Sequence, residues 1–242
     1  MSRPRKQRVD PDVALTAPGL ARRELWEGVA DALRGAILAG SIRAGASLVE
    51  ADLAGRFDVS RGPIRDALRE LAREGLVVDL PRRGTVVSTL SFTDIQEVYE
   101  VREGLEIEAA RLAVERASSV DIASLAGRVA ALEAAWARGA EYAESLAADL
   151  AFHRDLVALS GNRRLISTYD QMLVQTQLNA ITAAELNPRL RRGQRRSAHR
   201  DIVRGLKARD AEAVTKAIAG HYTYARERLF EGIRPRSEPR LR

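Results

Sequence analysis

The stretch that most constrains the fold is residues 48–88, where two short helical patterns are followed by two β-rich runs. Residues 48–57 read as a short helix, and a tight turn separates it from a second helix over about residues 61–74. The runs 76–80 and 85–88 then flank a polar turn, which is typical of a β-hairpin. The order helix, turn, helix and hairpin predicts a winged helix-turn-helix, a compact unit that can enter a groove of DNA.

The second of these helices has a clear beginning, end and buried face. Ser60 stands at the N-cap position, and Gly75 is expected to end the helix as a C-cap. The apolar residues between them recur at helical spacing, so we expect that face to pack inward. These residues are Ile64, Ala67, Leu68 and Leu71.

The opposite face of the same helix carries arginines beside a small residue, and the hairpin tip is basic as well. Guanidinium groups bind phosphates and guanine edges, while a small residue lets the backbone come close. The candidate contacts are Arg61, Gly62, Arg65 and Arg69 on the helix and Arg82 and Arg83 at the tip. The pattern therefore predicts double-stranded DNA as a partner.

Composition narrows the environment in which the chain works. The 242 residues contain no cysteine, which excludes disulfides, thiolate zinc sites and cysteine nucleophiles and suits a reducing cytoplasm. No apolar run approaches the roughly 20 residues that span a bilayer, so we expect a cytoplasmic protein with no membrane partner. The net charge of +6 is compatible with binding to nucleic acid, although the excess is modest for the length.

The periodicity divides the chain into four segments. Residues 1–20 are basic and contain prolines, which predicts a disordered tail, with an arm along DNA phosphates as the alternative. Residues 21–89 hold a first helix, at about 25–39, and the winged unit. Residues 90–234 read as helices with short connections, which predicts an all-α antiparallel bundle, and residues 235–242 form a C-terminal tail. The expected fold is therefore mainly α, a winged helix-turn-helix followed by a helical bundle.

Breaks in the apolar pattern separate the helices of the bundle. They are expected at about 92–116, 120–138, 141–160, 163–186, 190–208 and 210–232. A basic run, Arg189–Arg196, surrounds the start of the fifth of them. A solvated surface is the simpler interpretation of this run, and a contact with DNA or with another subunit is the alternative.

Each of the chain's three histidines falls on the apolar face of a predicted helix. They are His153, His199 and His221. Asp149 lies one helical turn before His153 and shares its face. Because a polar group buried alone costs on the order of a few kcal/mol, each of these side chains needs a partner. They are either separately satisfied core residues or a divalent metal site, for which zinc or nickel come first and manganese, cobalt or iron are alternatives.

Arg102 is a related case on the first helix of the bundle. It stands in line with Val98, Leu105 and Ala109, so it is expected to face inward. An internal ion pair with Glu106, four residues further on, would explain a buried arginine. A clamp for the carboxylate of a ligand is the functional alternative.

The motifs together resemble a known family. Residues 48–77, LVEADLAGRFDVSRGPIRDALRELAREGLV, followed by the wing PRRGTVV, resemble the winged helix of GntR-family bacterial transcriptional regulators. Four later segments are similar to the FCD-type effector-binding domain of the FadR subfamily. They are DLAFHRDL (149–156), SGN (160–162), AHRDIV (198–203) and HY (221–222).

The resemblance covers about residues 22–232 and implies a homodimeric, ligand-responsive transcriptional regulator rather than an enzyme. Two recognition helices would enter major grooves of a pseudo-palindromic operator, and the wings would approach adjacent minor grooves. The family's DNA contacts correspond to Ser60, Arg61, Gly62, Arg65 and Gly84. Many members carry an arginine early in the helix before the turn, where this chain has Ala51. The operator preference of the family therefore does not transfer directly.

The resemblance also implies a ligand site. In the FCD domain an aspartate and three histidines bind a divalent metal, which helps to hold a small carboxylate effector. The matching residues are Asp149, His153, His199 and His221. The family arginine that contacts such effectors matches Arg102.

Two other functions stay open. A regulator with a purely structural metal, or with none, would sense a different ligand. A metal-dependent hydrolase fused to a DNA-binding module would need an acid–base group beyond the metal ligands, and no histidine remains for that role.

Overall fold

The computed structural model describes residues 22–89, 91–186 and 198–230. The chain divides into two compact units, of which the first ends at Leu90 and the second begins at Ser91.

The first unit is a winged helix-turn-helix, as the sequence predicts. Its elements are α1 (Arg22–Leu38), α2 (Glu50–Phe57), α3 (Arg61–Arg73), β1 (Val77–Leu80) and β2 (Gly84–Val87). The two strands pair antiparallel, with Val77 opposite Val87 and Leu80 opposite Gly84. Arg82 and Gly84 have φ values of 66° and 72°, so the turn between the strands uses left-handed backbone that glycine adopts without strain.

The face of α3 that was predicted to pack inward is buried. Ile64, Ala67, Leu68 and Leu71 are at most 4% exposed, and α3 packs against α1. Ser60 occupies the N-cap position, although its side chain makes no capping hydrogen bond. Glu74 is the C-cap, and the predicted stop, Gly75, follows it with a φ of 77°. The buried stripe leaves the opposite face of α3 free for other contacts.

The start of α2 differs from the prediction. The helix begins at Glu50 and not at Leu48. The backbone N–H of Leu48 donates to the carbonyl of Thr85 at 2.9 Å, and Ser47 forms an isolated β-bridge with Val86. Because this backbone is extended along the wing, it cannot also start a helix, and the apolar Leu48 is buried by strand pairing instead.

In the described residues of the second unit, all the regular secondary structure is helical. Its elements are α4 (Phe92–Arg116), α5 (Ser119–Ala137), α6 (Tyr142–Ala158), α7 (Arg163–Leu186), α8 (His199–Ala208) and α9 (Ala211–Phe230). Capping boxes begin α4 at Ser91 and α5 at Ser118. α4 packs against α6, α7, α8 and α9, so its inward face lies at the centre of the bundle.

The predicted fold class, mainly α with a small wing and a helical bundle, is confirmed. The predicted fifth helix of the bundle is described only from His199, where α8 begins. The basic run Arg189–Arg196 and the two predicted tails, residues 1–20 and 235–242, lie outside the described residues. None of the helices in the described ranges has the length and apolar character needed to cross a membrane.

The turn between α8 and α9 holds these two helices unusually close. A methyl group added at Gly205 would lie 2.5 Å from Cγ2 of Val214 and 3.0 Å from its backbone nitrogen. Arg209, with a left-handed φ of 57°, turns the chain between the helices. Its guanidinium donates to the carbonyls of Val114 at 2.7 Å and Ala117 at 2.6 Å, which ties this turn to the end of α4.

We expect Gly205→Ala to lower the free energy of unfolding by about 1–3 kcal/mol, because the added methyl group has to displace the backbone of α9. Gly127→Ala is the matched control, since nothing lies within 4 Å of the added methyl group on the exposed face of α5. Replacing a helical glycine there should raise stability by roughly 0.5–1 kcal/mol. Chemical denaturation of both variants measures this, and equal changes in the two would contradict the close approach.

Candidate functional site

The bundle brings together the four side chains predicted to bind a metal. Asp149 and His153 come from α6, His199 is the first residue of α8, and His221 lies in α9. One ligand atom from each lies within 4.8 Å of every other. Nε2 of His199 is 3.2 Å from Oδ1 of Asp149 and 3.2 Å from Nε2 of His153. The sequence placed these groups on inward faces, and the packing makes them one cluster.

The cluster is shielded from water. His153 and His199 are at most 1% exposed and His221 is 7% exposed. Phe152 is fully buried, and its ring lies 4.6 Å from that of His199, edge to face. Asp149 is half-buried, with 21% of its side chain exposed, so the cluster is closed on the imidazole side and more open at the carboxylate.

The electrostatics of the cluster favour a cation. Burial raises the pKa of the Asp149 carboxyl, but His199 and His153 outweigh this effect and hold the pKa below its ordinary value. Burial, followed by the charges of His153 and His199, lowers the pKa of His221 well below its ordinary value, which leaves a neutral imidazole with a free lone pair. Within the described residues, Oδ1 of Asp149 is buried without a hydrogen-bond partner, although Nε2 of His199 lies 3.2 Å from it.

These residues fit a divalent metal ion. A buried carboxylate oxygen without a donor and converging imidazole nitrogens are costly unless a positive charge lies between them. Three nitrogen ligands and one oxygen ligand, without thiolate, suit borderline metals such as zinc or nickel.

Arg102 faces inward, as predicted, and lies among aromatic rings. It is 3% exposed. Its Nη2 donates to Oε1 of Glu106 at 3.1 Å and to the hydroxyl of Tyr169 at 2.8 Å. The guanidinium carbon lies 5.5–5.8 Å from the ring centres of Tyr99, Tyr169 and Tyr222. The internal pair with Glu106 is therefore present, within a cage of three tyrosines that the sequence reasoning missed.

Glu106 has a second role that the sequence reasoning also missed. Its Oε2 lies 2.6 Å from Nδ1 of His153, and its Oε1 accepts hydrogen bonds from the hydroxyls of Tyr169 and Tyr222. Burial raises the pKa of the Glu106 carboxyl, but His153 and Arg102 outweigh this effect and hold the pKa well below its ordinary value. A signal was available in the sequence, since a tyrosine on an apolar face usually needs a partner for its hydroxyl.

The residues predicted to contact DNA all lie on the surface of the first unit. They are Ser60, Arg61, Gly62, Arg65, Arg69, Arg82, Arg83 and Gly84, and every one of them is exposed. Arg65 makes an ion pair with Glu50 of α2 at 3.1 Å, and Arg69 pairs with Asp66 at 3.2 Å. The N-terminal end of α3 and the wing tip together present a basic surface.

Comparison with known families agrees with both units. Residues 25–87 match the bacterial regulatory proteins of the gntR family, and residues 97–224 match the FCD domain. The two matches meet close to the boundary between the units.

Related proteins are regulators of transcription. An uncharacterized HTH-type transcriptional regulator, YdhC of Bacillus subtilis, is 28% identical over 81% of this chain and 87% of its own length. A probable D-xylose utilization operon transcriptional repressor of Paenarthrobacter nicotinovorans is 28% identical over 85% of this chain and 89% of its own length. The gluconate operon transcriptional repressor of Bacillus subtilis is 38% identical over 47% of this chain and 45% of its own length.

Solved structures share the fold. A GntR-type transcriptional regulator from Rhodococcus sp. RHA1 superposes with a TM-score of 0.67 at 23% identity, covering 86% of this chain and 98% of the other. McbR/YncC of Escherichia coli superposes with a TM-score of 0.66 at 23% identity, covering 86% and 97%.

The fold and the matches define a DNA-binding transcriptional regulator. The chain belongs to the GntR family and carries a C-terminal FCD domain. The families and the relatives are regulators and not enzymes, so the alternative of a metal-dependent hydrolase is set aside.

Proposed function

We propose that this regulator works as a homodimer whose affinity for a pseudo-palindromic operator is controlled by a small carboxylate effector bound beside a divalent metal. Two copies of α3 would enter major grooves of the operator, and the wings would approach adjacent minor grooves. DNA and effector would then influence each other's binding reciprocally. As a regulator of transcription in bacteria, it would act in the cytoplasm.

The contacts with DNA are assigned to the exposed basic surface of the first unit. Ser60, Arg61 and Gly62 lie at the start of α3, where a recognition helix meets base edges. Arg65 and Arg69 follow on the same face, and Arg82, Arg83 and Gly84 form the wing tip. The ion pairs that hold Arg65 and Arg69 are exposed and are worth about 0–1 kcal/mol each, so phosphates or bases can replace the acidic partners.

We expect Arg65→Ala to weaken operator binding by about 1–3 kcal/mol if the guanidinium reads a base edge. Arg73→Ala is the matched control, because it removes the same charge at the far end of α3, where Arg73 pairs with Glu70. Fluorescence anisotropy with operator and with unrelated DNA separates specific from general binding. Equal losses in the two variants, with both folded, would rule out base reading by Arg65.

The effector half of the proposal rests on the convergence of Asp149, His153, His199 and His221 within 4.8 Å of one another. In a five- or six-coordinate divalent ion, four protein ligands leave one or two positions open, and a carboxylate oxygen suits such a position. When bound, the ion supplies positive charge to hold an anionic ligand. Zinc or nickel are proposed first, with manganese, cobalt or iron as alternatives.

Protein purified without chelators should contain about one divalent ion per chain. His221→Ala removes a nitrogen ligand and should lower that content strongly. Asp155→Asn is the matched control, since Asp155 lies on the outer face of α6 and pairs with Arg128 at 2.7 Å. Elemental analysis of the three proteins measures the metal content per chain. Equal metal content in wild type and His221→Ala would contradict the proposed site.

Arg102 is proposed to bind the effector through its guanidinium. Among the described residues, hydrogen bonds engage Nε and Nη2 of Arg102, and a guanidinium carries two more N–H groups on Nη1. The side chain is joined to His153 through Glu106, which places it beside the metal ligands. A small anion could therefore contact the ion and the arginine together.

A carboxylate effector at a hundred times its dissociation constant should stabilise the metal-loaded protein by about 2.7 kcal/mol, which a thermal-shift screen of small carboxylates detects. The gluconate operon repressor among the relatives makes sugar acids a natural part of that screen. Arg102→Ala should largely abolish the shift while metal and DNA binding remain. The matched control is Arg226→Ala, which breaks the pair of Arg226 with Glu103 at 2.7 Å.

If Arg102→Ala keeps the full shift, Arg102 is a structural partner of Glu106 and not an effector ligand. If no carboxylate shifts the metal-loaded wild type, the second candidate gains support. That candidate is a regulator that has a purely structural metal, or none, and whose ligand is of another class.

A further inference from the structure

Glu106 stands between the two halves of the proposed ligand site. It is fully buried in α4. Its Oε1 accepts from Arg102, Tyr169 and Tyr222, while its Oε2 lies 2.6 Å from Nδ1 of His153. Among the described residues, donors from four helices thus converge on the carboxylate of Glu106. One of these donors is Nδ1 of His153, a candidate metal ligand.

The contact with His153 selects one tautomer of that imidazole. Glu106 is paired with the guanidinium of Arg102 as a carboxylate, and an ionised carboxylate can only accept hydrogen bonds, on Oε2 as on Oε1. Nδ1 of His153 must therefore carry a hydrogen and donate it to Oε2. In the neutral ring, the lone pair then lies on Nε2, the atom that points to Asp149 and His199.

We infer that Glu106 is a positioning residue for the metal centre, which fixes the hydrogen of His153 on Nδ1 and so directs the Nε2 lone pair toward the cluster. This role rests on the proposed metal function. Carboxylate partners of metal-bound imidazoles are known to orient the ring and to raise its basicity, and their loss lowers metal affinity by about 10–100-fold.

Substitution of Glu106 by glutamine would leave either Arg102 or His153 without a matching hydrogen-bond partner, because an amide offers one acceptor and one donor group. If the amide oxygen of the new side chain faces His153, its NH₂ group faces the guanidinium of Arg102, and two donors meet. If the oxygen faces Arg102, the NH₂ group faces Nδ1 of His153 and favours the other tautomer. The hydrogen then moves to Nε2 and points into the cluster, where it blocks a metal bond.

The first measurement is Zn²⁺ affinity in competition with a chromophoric chelator, using the full-length protein. We expect Glu106→Gln to bind Zn²⁺ about 10–100-fold more weakly than wild type. Glu103→Gln is the matched control, because Glu103 lies three residues earlier in α4 and is paired with Arg226, with 18% of its side chain exposed. It loses an ion pair of the same bundle without touching a metal ligand, and its Zn²⁺ affinity should stay close to that of wild type.

The second measurement needs no metal. In ¹⁵N-labelled, chelator-treated protein, the ring nitrogens of three histidines give a simple long-range NMR spectrum, and His153→Gln identifies the His153 signals. Wild type should show His153 with its hydrogen on Nδ1, and Glu106→Gln should show a shift toward the Nε2 form. A variant that merely loosened the fold would give averaged signals for all three rings instead.

The outcomes separate this inference from the proposed function. If wild type does not bind Zn²⁺, the metal proposal itself fails. If wild type binds Zn²⁺ and Glu106→Gln binds it equally well with an unchanged tautomer, only the role of Glu106 is overturned. Should Glu106→Gln not fold, Glu106→Asp keeps the charge but cannot reach both His153 and Arg102, and an undiminished Zn²⁺ affinity in it would overturn the inference too.

Discussion

A carboxylate buried in the centre of the bundle sets the arrangement around it. Removing an ion from water costs several kcal/mol even after relaxation, unless hydrogen bonds and an opposite charge replace the solvent. Glu106 obtains these from Arg102 on its own helix, His153 on α6, Tyr169 on α7 and Tyr222 on α9. Each donor is fixed on its own helix. Because all of the donors must reach Glu106, this one side chain restricts how α4, α6, α7 and α9 can pack.

The same constraint explains why the tyrosines lie where they do. Burial raises the pKa of the Tyr169 and Tyr222 hydroxyls well above the ordinary value, so both remain donors. Their rings also cover the guanidinium of Arg102, which replaces part of its hydration by cation–π contact. The tyrosine hydroxyls thus bind Glu106 and the tyrosine rings cover Arg102, so together they stabilise this ion pair inside an otherwise apolar core.

Much of this architecture could be predicted because it depends on the helical spacing of apolar and polar residues that are close together in the sequence. The inward stripe of α3, the stop at Gly75 and the inward direction of the three histidines all follow from helical spacing. Pairing across the chain could not be predicted in this way. The extended backbone at Leu48 depends on Thr85, and the double role of Glu106 depends on residues 47 to 116 positions away. The spacing of residues along a helix predicts which way a side chain faces. Its hydrogen-bond partner depends on how the helices pack against one another, which the spacing does not give.

The short connection between α8 and α9 has a consequence for folding energetics. Because Gly205 allows these helices to pack closely, His199 and His221 are presented by one compact hairpin, while Asp149 and His153 are presented by α6. An ion held by all four would act as a removable cross-link between residues 46 positions apart in the sequence. Unlike a disulfide, such a link forms only in the folded chain, because the unfolded chain does not hold the four ligands together, so the free energy of metal binding adds to the free energy of unfolding. In a chain without cysteine, the supply of such an ion would thereby set part of the stability of the helical unit.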